Sequence, residues 1–202
     1  MNKVRRIMRR QGWNCRVKPK RFKRSINPFQ LFDNLVSGNW TSTSPRKLLT
    51  TDITYLPFGS STQYLCSIMD TFNNEVIAYQ ISNHPNAKLC VDTLEQVTDL
   101  AEDCILHSDQ GSTFASEIYF ECCRKKSITR SMSRLGTPSD NAIIESFHSS
   151  PKSETFYYME NQHFSNTIVQ NIVREYISDW NESRILTKLG NLSPVQYREL
   201  MA

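Results

Sequence analysis

The sequence lacks several features that would place it in other classes of protein. Among its 202 residues no apolar run approaches the roughly 18 needed to span a bilayer. The basic N-terminus has no apolar stretch after its charges, so we predict neither a signal peptide nor a membrane partner. No internal repeat is present. The length allows one core with a small appended element.

The six cysteines include no Cys-x-x-Cys pair. This spacing argues against a zinc site, and the chain is too long to depend on a disulfide framework. We therefore expect reduced thiols, with Cys122 and Cys123 on the buried side of a helix.

Acidic residues are absent from the first 24 positions, which hold 11 lysines and arginines. Residues 1–47 carry 13 basic residues against the single acid Asp33, whereas the rest of the chain carries 11 basic and 19 acidic residues. Such a block attracts polyanions, because neutralised phosphates release counterions. Two interpretations stay open: a solvated tail without a target, and an arm that binds DNA. The arginines of a candidate basic helix at 3–11 are Arg5, Arg6, Arg9 and Arg10.

The hydrophobic pattern after Thr50 predicts an α/β fold with a mixed five-stranded sheet flanked by helices. Three strand-like runs, TDITYLPF, QYLCSIMD and EVIAYQIS, are separated by the short breaks GSST and TFNN. Such short connections favour antiparallel neighbours. The pattern then predicts a helix at 87–101, a strand at 104–109, a helix at 115–126 and a strand at 127–133.

Two further helices complete the predicted organisation. One starts near Ser139, with Asp140 or Asn141 as its N-cap, and the other covers about 167–180. We expect three regions. They are a basic arm and linker at 1–47, a core at 48–160, and a C-terminal helical segment at 161–202 that packs on the core.

Three carboxylates stand where they could converge. Asp52 lies within a strand, where aspartate is uncommon, and Asp109 closes the HSD strand before a glycine turn. Glu145 lies in the first turns of the helix that follows Asp140. Acids at strand ends can meet above a sheet. If these three meet, a counter-cation is needed, and Mg²⁺ prefers such oxygen ligands. Considered one at a time, each acid is more often a cap or an ion-pair partner than a metal ligand.

Longer strings add a family resemblance. TDITYLPFG, HSDQGS, SMSRLGTPSDNAIIESFHSSPKSETFY and RILTKLGNLSPVQYREL resemble the integrase-core DDE transposases of bacterial insertion sequences. The chain looks most similar to the downstream-frame (OrfB) subunit of the family that moves through a copied, circular intermediate. The resemblance extends from about residue 2 to residue 200. It includes the gap of 35 residues between Asp109 and Glu145.

The resemblance implies a ribonuclease-H-like fold and an enzyme that cleaves and joins DNA strands. It makes Asp52, Asp109 and Glu145 the catalytic residues and the ligands of Mg²⁺ or Mn²⁺, with two ions expected. It also implies DNA partners, namely terminal inverted repeats and target DNA. The other implied partners are the upstream-frame transposase subunit and further copies of this chain on DNA. The expected location is the bacterial cytoplasm, at the nucleoid.

Several further residues are candidate DNA contacts. Lys152 matches the family's basic residue seven positions after the glutamate, and His148 lies one turn from Glu145. The cluster between the second and third acids either lines the DNA path or forms an ordinary solvated face. Its members are Arg124, Lys125, Lys126, Arg130 and Arg134. We expect a structural role for His107, and packing rather than DNA contact for Arg184.

Two departures from the family pattern favour a second function. Pro151 stands inside the helix that carries Glu145, and proline there removes a hydrogen bond and clashes with the preceding turn. It predicts a kink or helix end near Ser150 that would leave Lys152 off the Glu145 face. Less sequence precedes the core than in fuller relatives. The alternative is therefore a truncated, catalytically decayed transposase that only binds DNA. A nuclease of the same fold that cuts without joining is a third possibility.

Overall fold

A computed structural model describes residues 3–11, 32–58, 61–156 and 165–201. Its five strands form one sheet in the order β3-β2-β1-β4-β5. Their bounds are Leu48–Phe58 (β1), Ser61–Asp70 (β2), Glu75–Ser82 (β3), Ile105–Ser108 (β4) and Thr129–Met132 (β5). The first three strands are antiparallel neighbours, while β4 and β5 run parallel to β1. The predicted α/β fold with a mixed sheet is confirmed.

The connections explain this mixture of directions. The β2–β3 turn contains Asn74 at a φ of +59°, a left-handed conformation that asparagine tolerates, so the chain reverses within a few residues. Strands β4 and β5 are parallel to their neighbours and therefore need longer crossovers. A helix precedes each of them.

The described helices are α1 (Lys3–Arg10), α2 (Ala87–Glu95), α3 (Glu117–Lys125), α4 (Ala142–Glu154), α5 (Asn166–Glu182) and α6 (Pro194–Met201). Side chains cap three of them, because Asn86 accepts from the N–H of Leu89, Ser165 from that of Ile168 and Ser193 from that of Gln196. Helix α2 ends before the predicted residue 101. Asp99 there has a φ of +56°, which a helix cannot include. No helix in these ranges is long and apolar enough to cross a membrane.

The sheet is covered on both faces. One buried cluster includes Leu49, Leu94 and Tyr119 and lies under α2 and α3. The other includes Phe147 and Trp180 and lies under α4 and α5. The five cysteines in the described ranges are buried and free, as expected, and Cys122 and Cys123 are among them. Cys15 lies outside those ranges.

Both edges of the sheet carry partners. At the β5 edge, the segment 32–37 runs alongside, and the carbonyl of Asp33 accepts from the N–H of Met132. At the β3 edge, the side-chain amide of Asn181 forms hydrogen bonds with both the N–H and the carbonyl of Val76, each at 2.9 Å.

Residues 12–31 of the predicted linker lie outside the described residues. The proposed division at residues 47 and 160 stays a prediction.

Candidate active site

Two of the predicted acids follow the point where neighbouring parallel strands separate. The β1–β4 ladder ends at the pair Thr50–His107. Asp52 lies two residues further along β1, and Asp109 directly follows β4. Both line one cavity, together with Tyr55, Tyr64, Gly111 and Phe114. The Asp52 and Asp109 carboxylates therefore face a common space.

The Asp109 carboxylate is held by its own turn. Its Oδ1 accepts from the N–H of Gly111 at 2.9 Å. Burial raises the pKa of Asp109, repulsion from Asp52 raises it further, and the Gly111 bond opposes both effects. A Cβ on Gly111 would lie 2.8 Å from Asp109 Oδ1. Glycine at this position thus leaves room for the carboxylate.

Glu145 is brought to the same neighbourhood by the first turn of α4, where its side chain is exposed. Partial desolvation of the carboxyl group contributes most to raising the pKa of Glu145, followed by repulsion from Asp52 and then from Asp109. Within the described ranges, no three His, Cys, Asp or Glu side chains already surround a point where a metal ion could sit. The three acids share one electrostatic environment without forming a closed set of ligands.

Helix α4 is anchored beside β1 by Asn141. Thr50 donates from Oγ1 to Asn141 Oδ1, and Asn141 donates from Nδ2 to the carbonyl of Thr51. Asn141 occupies the N-cap position of α4, as predicted, but its side chain makes no capping bond to the helix. Asn141 contacts β1 instead, and Asp140 accepts from the backbone and guanidinium of Arg134 and from Asn34.

The two histidines near the acids are buried. His148 Nδ1 lies 3.3 Å from Asp52 Oδ2, and its Nε2 lies 2.6 Å from Ser67 Oγ. Only 2% of His148 is exposed and both of its ring nitrogens are engaged, so the contacts that the structure shows are with the protein, and the DNA contact stays a prediction. His107 bonds Ser131 and Ser133, as expected for a structural residue. Burial lowers the pKa of His107 to about 4.

The predicted break at Pro151 is also wrong, because α4 continues to Glu154. Pro151 is buried in the helix, and its carbonyl accepts from both the N–H and the hydroxyl of Thr155. Arg184 and Tyr176 then bond the Glu154 carboxylate. These contacts hold the last turn despite the missing N–H of the proline.

Lys152 consequently stays beside the acids. Its ammonium lies 4.2 Å from the ring centroid of Tyr55, which lines the same cavity as Asp52. Burial lowers the pKa of Lys152, while attraction to Asp52 opposes that shift. The side chain is half-buried, so its charge remains available to a ligand in the cavity.

The remaining basic candidates have different environments. Arg130 is 7% exposed and donates to the carbonyl of Phe114, so its contacts in the structure are with the protein, and its DNA contact stays a prediction. Arg134 is exposed and pairs with Asp140 at 2.8 Å. Lys126 donates to the carbonyl of Val97, while Lys125 is exposed.

The N-terminal arginines lie on a helix, as predicted. Arg6 and Arg10 are exposed on α1, and the side chains of Arg5 and Arg9 lie outside the described residues. Arg184 bonds Glu154, which agrees with the expected packing role.

Sequence reasoning missed the residues that connect the acids. Thr50, Ser67 and Asn141 are polar and at most 2% exposed. Their bonds join segments 81 and 91 residues apart in the chain. The hydrophobic periodicity of a segment does not predict contacts with segments so distant in the chain. The only signal was the placement of Asn141 at a helix start, which favoured a cap.

Solved structures with this architecture define its class. An intasome chain of simian T-cell lymphotropic virus, in complex with the PP2A regulatory subunit B56 gamma, superposes with a TM-score of 0.68. The identity is 16%, over 85% of this chain and 60% of that one. The HTLV-2 integrase catalytic core domain, in complex with magnesium, gives 0.61 at 14% identity, over 78% and 99%. The fold is thus the ribonuclease-H-like fold of integrase catalytic cores, as expected.

Relatives narrow this class to a family. Two family models, each described as an integrase core domain, match residues 42–138 and 145–201. A transposase-like protein of Haemophilus influenzae is 35% identical over 97% of this chain and 91% of its own length. The putative transposase InsK of IS150 from Escherichia coli is 34% identical over 96% and 70%. The chain belongs to the DDE transposases of bacterial insertion sequences.

Proposed function

We propose that this protein catalyses metal-dependent cleavage and strand transfer of DNA during transposition of an insertion sequence. One observation carries the proposal: Asp52 and Asp109 face a common cavity, and Glu145 lies within range of their repulsion. Membership of the transposase family supports the substrate. In the first step, water attacks a phosphodiester and releases a 3′-hydroxyl. That hydroxyl then attacks a target phosphodiester, forming one P–O bond and breaking another.

The three acids fit a divalent metal by their chemistry. Carboxylate oxygens are the ligands that Mg²⁺ prefers. Burial, followed by repulsion among the acids, raises the pKa of Asp109 and of Glu145, and a bound cation would oppose both effects. We assign Asp52, Asp109 and Glu145 as ligands of Mg²⁺ or Mn²⁺, with two ions. When bound, such ions stabilise the attacking and leaving oxygens of a phosphoryl transfer. Magnesium in the HTLV-2 structure supports this assignment.

The residues of this chain also account for substrate binding. Lys152 supplies a positive charge near Asp52 and is suited to a DNA phosphate close to the acids. The exposed Lys125 and the arginines of α1 are candidates for phosphates further away. Because the body is acidic and the N-terminal region basic, DNA association is expected to weaken strongly with salt.

The proposed partners follow from the family. They are the terminal inverted repeats, target DNA, the upstream-frame transposase subunit and further copies of this chain on DNA, in the bacterial cytoplasm. The alternative of a decayed, DNA-binding transposase depended partly on a break at Pro151. Helix α4 instead continues past that residue, which favours the enzyme.

The proposal is tested by incubating the full chain with a labelled branched oligonucleotide and Mg²⁺ or Mn²⁺. This substrate requires one phosphoryl transfer without complete recognition of the element ends. We expect joined product that requires metal and disappears in Glu145→Gln. The matched control is Glu117→Gln, which changes an exposed glutamate on α3.

The outcomes separate three functions. Metal-dependent joining that is lost in Glu145→Gln but kept in Glu117→Gln supports the transposase. Cleavage without joining identifies a nuclease of the same fold. DNA binding without any product, in the wild type and in Pro151→Leu alike, would move the assignment to the DNA-binding protein.

A further inference from the structure

Asn141, the residue before α4, has unusual hydrogen-bond partners. An asparagine at this position commonly accepts a bond from the first turn of its own helix. The Asn141 side chain makes no such cap. Its amide instead accepts from Thr50 Oγ1 at 2.5 Å and donates to the Thr51 carbonyl at 3.2 Å. The β1–β4 ladder ends at Thr50, so this amide contacts β1 where β4 no longer accompanies it.

A second link lies two helical turns further along α4. His148 bonds Ser67 at 2.6 Å and lies 3.3 Å from Asp52. Ser67 and Asp52 are themselves partners across the β1–β2 ladder, so His148 contacts both members of one pair. Asn141 and His148 are seven residues apart and therefore share a side of the helix. Glu145 lies between them in sequence.

We propose that Asn141 and His148 are positioning residues, together called the α4 clamp, that set Glu145 relative to Asp52 and orient the Asp52 carboxylate. This inference rests on the proposed function, because it matters only if these acids hold a metal. Three acids that approach one another repel, and the repulsion pushes α4 away from β1. Apolar packing of Phe147 and Ile144 holds the helix on the core, whereas the clamp ties it to the strand that carries Asp52.

The clamp is tested through its partners, which leaves α4 and the three acids unchanged. In the full chain, Thr50→Val removes the hydroxyl that bonds Asn141, and Ser67→Ala removes the one that bonds His148. Three quantities are measured: Mn²⁺ binding without DNA by electron paramagnetic resonance, product formation at several Mn²⁺ concentrations, and thermal unfolding. Thr50→Ser keeps the hydroxyl. Thr71→Val is the matched control, because it removes a buried hydroxyl bond to Leu48 at the start of β1.

We expect Thr50→Val and Ser67→Ala each to weaken Mn²⁺ binding at least fivefold. The rate of product formation at low Mn²⁺ should fall at least tenfold and recover partly as Mn²⁺ is raised. DNA affinity should stay within twofold of wild type, and Thr50→Ser should restore Mn²⁺ binding. A fold that is merely weakened does not produce this dependence on metal concentration.

Two results overturn the inference in distinguishable ways. If both variants unfold at lower temperature, as is expected for Thr71→Val, yet bind Mn²⁺ with wild-type affinity, the clamp only stabilises the fold. If the wild type binds no Mn²⁺, or binds it equally well after Glu145→Gln, the proposed metal site itself is refuted. The clamp then falls with it.

Discussion

Arg130 offers a sharp test of burial against DNA contact. Its guanidinium donates to the carbonyl of Phe114 and lies 4.3 and 5.3 Å from the ring centroids of Phe32 and Tyr119. Burial lowers the pKa of Arg130. The substitution Arg130→Met keeps most of the apolar volume and removes both the charge and the donors.

The expected loss of stability follows from these contacts. A hydrogen bond from a charged group contributes about 1.5–3 kcal/mol, and a buried cation–π contact contributes about 2 kcal/mol. Relief of the desolvation cost of the cation offsets part of this loss. We therefore expect the free energy of unfolding to fall by about 2 kcal/mol in Arg130→Met. With a urea dependence of about 2 kcal/mol per M, the unfolding midpoint falls by about 1 M.

The assay pairs urea unfolding with DNA affinity, measured by fluorescence anisotropy at several salt concentrations. The comparison variant is Lys125→Met, which removes an exposed charge. Arg130→Met should lower the midpoint and leave the salt dependence of DNA binding unchanged. An unchanged midpoint with a salt slope reduced by about one would mean that Arg130 contacts phosphate, and would refute the burial argument.

Two more predictions concern the turn after β4 and its neighbouring histidine. In Gly111→Ala the new Cβ displaces the Asp109 carboxylate, so product formation should fall at least tenfold. The free energy of unfolding should change by less than about 0.5 kcal/mol. A wild-type rate of product formation would contradict this prediction. The pKa of His107, lowered to about 4, means that the unfolded chain protonates first as pH falls. His107 should thus cost the protein about 2.5 kcal/mol of stability between pH 7 and pH 4.5. Urea unfolding at both pH values should show this loss reduced in His107→Gln, and an equal loss in both proteins would contradict it.

Features of the molecule that depend on nearby residues were predictable from sequence. The three antiparallel strands follow from apolar runs joined by short polar breaks, and Asp109 follows from a strand that ends at a glycine turn. The family strings then connected these acids with Glu145. These predictions rest on patterns within about ten residues, where periodicity and turn chemistry are informative.

Where the structure departs from what local sequence rules suggest, distant partners are the reason. Pro151 obeys the local rule against helical proline, but bonds from Thr155 and Arg184 hold the last turn in place. Asn141 fits a cap by composition, yet β1 supplies its partners. Arg130 belongs to a basic cluster in the sequence, but the carbonyl of Phe114 and the rings of Phe32 and Tyr119 surround its side chain. In each case the tertiary environment decides.

The covered edges of the sheet affect how this protein tolerates high concentration. An open strand edge is a template on which another chain can form β-structure, and such growth leads to aggregates. Here β5 is flanked by the segment 32–37, while the amides of Asn181 and Gln96 bond carbonyls along β3. A chain approaching either edge must first displace these groups. At high concentration, contacts between copies of this chain are therefore expected to involve side chains rather than pairing of their sheet edges.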